Sequence, residues 1–142
     1  MKKNYDVLKL ENQLCFPLYA ASKEVVKSYT PFLSELDLTY TQYIVMLALW
    51  EYEKLSVKAL GDKLFLDSGT LTPVIKSLQE KGYVEKARLK EDERVIEVTL
   101  TTDGEEPKKK AIDVPEKISR EICLSPEEAM TLYGLLYKIL KK

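Results

Sequence analysis

The sequence contains no histidine. That absence removes the imidazole base on which serine and cysteine hydrolases usually depend, and the nitrogen that transition-metal sites usually borrow. Cysteine is scarce as well: Cys15 and Cys123 are the only two, too few for a zinc site of their own. With no secretion signal ahead of them they are expected to be reduced thiols, not a disulfide scaffold. Long apolar runs are missing. The longest, Tyr43 to Trp50, falls far short of the roughly 20 residues that a membrane-spanning helix needs, and the N-terminus lacks a signal-peptide pattern. A cytoplasmic protein without a membrane partner is expected. No glycine-rich loop of the kind that cradles a nucleotide phosphate is present, so enzymes of the common kinds are disfavoured, and neither a cofactor nor a metal is expected. Excess charge is lacking too: 22 basic and 23 acidic side chains leave a net charge of −1, which argues against coating nucleic acid through bulk electrostatics.

What is present suits one globular domain of 142 residues, 45% hydrophobic and 32% charged, rich enough in apolar residues to bury a core. Charge is concentrated locally. Lys76, Lys81, Lys86, Arg88, Lys90 and Arg94 fall close together, interleaved with Glu80, Glu85, Glu91, Asp92 and Glu93. Such a mixed segment is either a solvated surface or a local basic patch, and charge alone does not choose.

Apolar residues recur at helical spacing from Val7 to about Tyr29, at Leu10, Leu14, Leu18, Val25 and Val26, which predicts one helix or a broken pair. Pro17 interrupts the pattern, because a proline inside a helix lacks the amide donor for residue 13 and its ring meets that carbonyl. Either the helix kinks there, or it begins near residues 14–16 with Pro17 in its first turn. In the second case Cys15 lies against helix-start amides that have no intrahelical partner, where a thiolate is stabilised. A bland role, as a small buried core residue, is equally ordinary for a free cysteine.

Thr39 or Thr41 is placed to cap a second helix through Tyr43, Val45, Met46, Leu47, Leu49 and Trp50, apolar nearly all round and expected to be buried. Ser56 then caps the short helix "VKALGDKLFL". In "DSGTLTPVIKSLQEKGYV" a helix is predicted from Ser68 or Thr70 to Lys81, with Pro73 in its first turn, Gly82 as its stop, and one of the hydroxyls of Ser68, Thr70 and Thr72 as its cap. Two short helices joined by a tight turn predict a helix-turn-helix. "YVEKARL" and "VIEVTLT" alternate like half-buried strands around the polar "KEDER", so a β-hairpin follows directly. The fold class is therefore mainly α with a small β-hairpin, a winged helix whose second helix can enter a major groove while Arg94 on the wing probes a neighbouring minor groove.

Beyond the wing, Pro107 and Pro115 divide a helical stretch into one bent helix or two segments. "SPEE" then marks the last helix, with Ser125 as N-cap, Pro126 in first position and Glu128 closing a capping box. Ala129, Leu132, Leu135, Leu136, Ile139 and Leu140 leave that helix a broad apolar stripe. A winged helix needs only about residues 39–101. The outer segments, about 7–30 and 102–142, are surplus, and their simplest use is a dimer interface within one domain spanning 1–142.

"ENQLCFPLYAAS", "LTYTQYIVMLALWE", "FLDSGTLTPVIKSLQEKGYV" and "EDERVIEVTLT" together resemble the MarR family of winged-helix regulators. The likeness is strongest to the organic-hydroperoxide-sensing (OhrR-like) repressors and the thiol-based virulence regulators of Gram-positive bacteria. It covers nearly the whole chain and weakens after about Gly104. It implies a homodimer held by terminal helices, an AT-rich, pseudo-palindromic double-stranded operator, and an organic hydroperoxide as inducer. By the same resemblance Cys15 is the peroxide-reactive thiol, Tyr29 and Tyr40 from opposite subunits hydrogen-bond its sulfur with Tyr19 close by, and Cys123 is a possible resolving thiol. Ser68, Thr70, Thr72 and Lys76 match recognition-helix positions; Arg94 matches the wing arginine, with Arg88 and Lys90 beside it as DNA-binding residues. Asp67 matches a carboxylate that pairs with an arginine to fix the wing, and Asp92 completes a D-x-R wing pattern. Pro17 and Pro107 depart from the family's ordinary helix formers, and Ala87 and Leu89 from its more polar wing. The rival readings are a MarR-type regulator released by an apolar or phenolic ligand with Cys15 inert, and a small thiol peroxidase, which leaves the wing unexplained.

Overall fold

Hydrogen-bonding side chains fix where several of the helices begin. The structure, a computed structural model, describes residues 3–141, so residues 1, 2 and 142 of the expected 1–142 domain lie outside it. Contacts divide the chain into two units, one built from the segment up to Ser28 together with Asp113 onward, the other from Tyr29–Ile112.

The second unit holds the end of α1 (Cys15–Ser34), α2 (Tyr40–Tyr52), β1 (Lys54–Ser56), α3 (Val57–Leu64), α4 (Ser68–Glu80), β2 (Val84–Arg88), β3 (Ile96–Leu100) and α5 (Glu106–Ala111). Thr39 caps α2: its hydroxyl accepts from the Gln42 amide, while the Gln42 side chain accepts from the Thr39 amide. α2 is apolar nearly all round, and it buries Tyr43, Val45, Met46, Ala48 and Leu49; of the residues expected with them, Leu47 is 43% exposed and Trp50 half-buried. Leu60 of α3, Leu71, Ile75 and Leu78 of α4, and Val84 and Val98 of the sheet are each no more than 1% exposed and complete the core. The α3–α4 turn is tight because Gly61 lets it be so: a Cβ there would lie 2.7 Å from the Leu66 carbonyl oxygen. The hairpin is as expected, with Val84 opposite Leu100 and Arg88 opposite Ile96. β1 adds a third, antiparallel strand on the other side of β3, with Leu55 opposite Val98.

Several local expectations are corrected here. The cap of α4 is not a hydroxyl but the Asp67 carboxylate, which accepts from the Thr70 amide at 2.7 Å. With the helix starting at Ser68, Pro73 is its sixth residue and lies in the second turn; the backbone whose carbonyl its ring approaches is Gly69, which carries no side chain to crowd it. α1 runs past Tyr29 and past Pro31 to Ser34, with Leu33 buried at its end.

In the first unit, residues before Cys15 do not form an α-helix. They form two single 3-10 turns, Asp6–Leu8 and Leu10–Asn12. The Gln13 side-chain amide donates to the Val7 and Lys9 carbonyls, and that of Asn12 to the Asp6 carbonyl. These side chains satisfy backbone acceptors that a helix would have paired internally. Pro107 and Pro115 each stand in the first turn of a separate helix, α5 and α6 (Val114–Ile122), so of the two arrangements open from the sequence the two segments are found. α7 (Pro126–Leu140) opens with the full Ser125–Glu128 capping box, which holds the Glu128 carboxyl below its ordinary value through the Ser125 amide and hydroxyl. α7 buries nothing in the single chain. Met130, Tyr133 and Leu135 of α7 are 76%, 65% and 54% exposed, and Leu14 of the N-terminal segment is 82% exposed. No helix among the described residues is long and apolar enough to cross a membrane.

Candidate redox site and nucleic-acid interface

The helix begins at Cys15, with Pro17 as its third residue. Of the two arrangements open from the sequence, this is the one in which proline is tolerated, because the amide it lacks would have no intrahelical acceptor in the first turn. Cys15 is therefore a first-turn residue, and its thiol is free and exposed, not packed in a core. Gln13, Phe16 and Pro17 on either side of it line an open groove of about 700 Å³ with Lys9, Leu10 and Glu11. Tyr19 follows one helical turn later on the same face, 61% exposed, with the Lys23 ammonium 5.3 Å from its ring. Cys123, also exposed and free, ends α6 in the left-handed conformation at φ 58°, its thiol donating to the Arg120 carbonyl at 3.2 Å.

Tyr29 and Tyr40, which the resemblance takes from opposite subunits, lie together within one chain in the winged-helix unit, ring centroids 4.9 Å apart. Tyr43, not singled out from the sequence, joins them: it lies 5.7 Å from Tyr29 and 6.4 Å from Tyr40. Its spacing of three from Tyr40 places both rings on one face of α2, a signal readable in hindsight. Burial pushes the Tyr29 hydroxyl up to about 12, helped by the neighbouring Tyr40 and Tyr43 phenols. Burial also raises Tyr40, and burial and then Tyr40 raise Tyr43. These phenols stay protonated donors. Because the fold favours the neutral Tyr29, that stabilisation is whole below about pH 10, the ordinary tyrosine value, and is lost as the pH climbs through 12. An absorbance titration of the nine tyrosines is expected to keep rising through pH 12, with Tyr29 last; completion by pH 11 with the circular dichroism intact would contradict the packed cluster.

On α4, Leu71, Ile75 and Leu78 face the core, and Ser68, Thr70, Thr72 and Lys76 form the exposed face. The Thr72 hydroxyl donates to the Ser68 carbonyl at 2.7 Å, leaving its lone pairs as acceptors. Asp67, its carboxyl held low chiefly by the Thr70 amide, and Arg94 line one cleft of about 550 Å³ at the foot of the wing. The Arg94 guanidinium, however, is bonded to Asp92 and not to Asp67: Nε donates to Oδ1 at 3.0 Å and a terminal nitrogen to Oδ2 at 3.2 Å. The expectation that Asp67 fixes the wing is thus replaced by a capping role in this structure, and Asp92, lowered by those Arg94 contacts, orients the arginine. Arg88 braces the wing tip, donating to the Glu93 carbonyl at 2.7 Å. Lys90 is exposed on the same loop.

A helix-turn-helix with an exposed polar second helix and a wing bearing an oriented arginine defines a winged-helix DNA-binding protein. The SarA/Rot family of transcriptional regulators matches residues 27–112. A regulator of organic hydroperoxide resistance from Bacillus subtilis (strain 168) is 46% identical over 141 residues, covering 99% of this chain and 96% of that one. The regulator SarZ of Staphylococcus aureus (strain USA300) is 44% identical over 133 residues, 94% of this chain and 90% of its own. Among solved structures, AbfR bound to DNA matches at 36% identity and a TM-score of 0.76, with 94% of each chain covered, in a reduced and in an overoxidized form. A further structure, of AbfR of Staphylococcus epidermidis, matches at 35% identity and a TM-score of 0.72 over 94% of this chain and 92% of that one. The chain belongs to the MarR family of winged-helix transcriptional regulators, with the organic-hydroperoxide-resistance and SarA/Rot-type regulators as its relatives. It is a DNA-binding transcriptional regulator and not an enzyme.

Proposed function

We propose that the chain is a homodimeric repressor of an AT-rich, pseudo-palindromic operator, released when an organic hydroperoxide oxidises Cys15. The observation that carries this reading is the exposed, free thiol of Cys15 in the first turn of α1, beside a groove walled partly by Leu10, Phe16 and Pro17. Such a groove suits the apolar part of an organic peroxide better than it suits hydrogen peroxide. The thiolate sulfur attacks the terminal peroxide oxygen, the O–O bond breaks, the leaving alkoxide takes a proton, and sulfur becomes a sulfenic acid, oxidised by two electrons. A thiol, either Cys123 or a small cellular thiol, then displaces water to give a disulfide.

Dimerisation is supported by the apolar residues that the terminal segments leave exposed, Leu14, Met130, Tyr133 and Leu135 among them, since so much uncovered apolar surface marks an interaction site. Tyr29 and Tyr40, packed as a pair in one chain, serve as protonated donors to the sulfur of the other subunit. Oxidation changes the size and hydrogen bonding of that sulfur, and the two recognition helices change spacing. Half-sites lie about 34 Å apart, so a few ångströms suffice to lose the operator.

Fluorescence anisotropy of reduced dimer on its upstream inverted repeat, with cumene hydroperoxide added, tests the proposal. Wild type is expected to release DNA while Cys15→Ser stays bound. Equal insensitivity of both proteins to peroxide would sink the thiol switch, and release of both by a phenolic ligand would move the switch to a ligand pocket.

A further inference from the structure

Among the described residues, Gln42 is the buried polar side chain of the winged-helix core, only 6% exposed. It lies between Tyr40 and Tyr43 in the first turn of α2, and its amide makes two bonds in different directions. Oε1 accepts from the Thr39 backbone amide at 3.0 Å, closing the cap of α2. Nε2 donates to the Ser77 hydroxyl on α4 at 2.5 Å. One side chain therefore fastens the start of the helix that carries two of the three clustered phenols to the C-terminal half of the recognition helix. A second tie lies just past the end of α4: the Lys81 ammonium, on a side chain 24% exposed, donates to the Asp37 carbonyl and pairs with its exposed carboxylate at 3.3 Å, in the turn before α2. A buried amide whose partner moves away is left unpaired, so the first turn of α2 and α4 hold together more strongly than apolar packing alone would make them.

We infer that Gln42 and Ser77 are positioning residues that couple the Tyr29–Tyr40–Tyr43 cluster to the recognition helix. The inference deepens the proposed switch and, for its use in sensing, rests on those tyrosines contacting the sulfur. The coupling itself does not need peroxide, because linkage is reciprocal: if a change at the phenols alters operator affinity, operator binding alters the phenol-bearing turn.

Hydrogen–deuterium exchange of the Gln42, Tyr43 and Ile44 amides, in reduced full-length protein with and without saturating operator DNA and with no oxidant present, reads that reciprocal effect. Operator is expected to slow exchange at these amides by about fivefold or more in wild type, the lower end of ordinary coupling. Ser77→Ala, which keeps a good helix former in α4, is expected to cut the slowing below about twofold. Ser77→Thr restores the hydroxyl and is expected to recover it, which separates the hydrogen bond from mere packing. No operator-dependent slowing in wild type, or full slowing in Ser77→Ala at equal occupancy, overturns the inference. Failure of the peroxide reading shows separately, as wild type that keeps its DNA in peroxide while the exchange result stands.

Discussion

Replacing Gly104 by alanine is expected to destabilise the protein by about 3 kcal/mol, the upper part of the usual range for overpacking a close-packed site, and to lower its melting temperature by about 10 °C at this chain length. Gly104 is buried in the turn that follows the wing. A Cβ built on it would lie 2.2 Å from the Tyr83 carbonyl oxygen and 2.7 Å from a Leu100 methyl. The methyl could turn aside, but the carbonyl cannot, because Tyr83 accepts from the Thr101 amide at 3.0 Å where β2 and β3 close. The turn itself must therefore move, and it is held from the other side: the Gly104 carbonyl accepts from the Trp50 indole at 2.9 Å. Since Trp50 is the sole tryptophan, its emission reports the break without interference. Thermal melts at fixed protein concentration, followed by tryptophan fluorescence and far-ultraviolet circular dichroism, check the expectation. A melting temperature within about 2 °C of wild type would mean that the turn yields far more easily than its hydrogen bonds imply.

Helix starts with reciprocal side-chain bonds were legible in the sequence. Ser125 with Glu128 is a short-range pattern whose physics is complete within four residues, and that box is found; at α2 the sequence left Thr39 and Thr41 open, and the Gln42 side chain bonding back to the Thr39 amide selects Thr39. The hairpin was legible for a similar reason, because alternation with a polar connection specifies strands and their side-chain faces together. Competition between local partners was harder to read. Asp67, Ser68 and Thr70 are all capable caps for α4, and only the register of Leu71, Ile75 and Leu78 against the core selects the carboxylate. Apolar spacing from Val7 onward imitates a helix, yet the Asn12 and Gln13 side chains capture the backbone acceptors and leave two isolated turns. β1 escaped because three residues, Lys54–Ser56, carry no periodicity of their own; they become a strand by pairing with β3.

At the candidate site the residue types were readable and their partners were not. Cys15 and Tyr40 stand out as a thiol and a phenol in recognisable motifs, but the Tyr29–Tyr40 contact joins residues from different helices. The Gln42–Ser77 bond spans 35 positions, and glutamine in a capping box gives no sign that its other amide group reaches across the core. Arg94 likewise has two acidic candidates in the sequence. The one two residues away holds it in the structure, as a chain with less conformational entropy to lose on closing the contact would favour.

That choice of partner determines what Arg94 is expected to do on DNA. Its side chain is 91% exposed, yet Asp92 already holds two guanidinium nitrogens, so less side-chain freedom remains to be lost when the wing meets a groove. Arg94→Ala is expected to weaken operator binding by about 10- to 100-fold, the range for loss of one specific arginine contact, and to reduce the slope of log affinity against log salt by about 1. Its effect on folding should be small, because an exposed ion pair contributes little. Arg94→Lys separates charge from geometry: it keeps the cation but not the planar fork, and it is expected to restore the salt slope while recovering little of the affinity. Anisotropy titrations at several salt concentrations, with the melting temperature as control, measure all three quantities. Unchanged affinity in Arg94→Ala would leave the exposed face of α4 to carry recognition alone, whereas full recovery in Arg94→Lys would make Arg94 a phosphate contact instead of a groove reader.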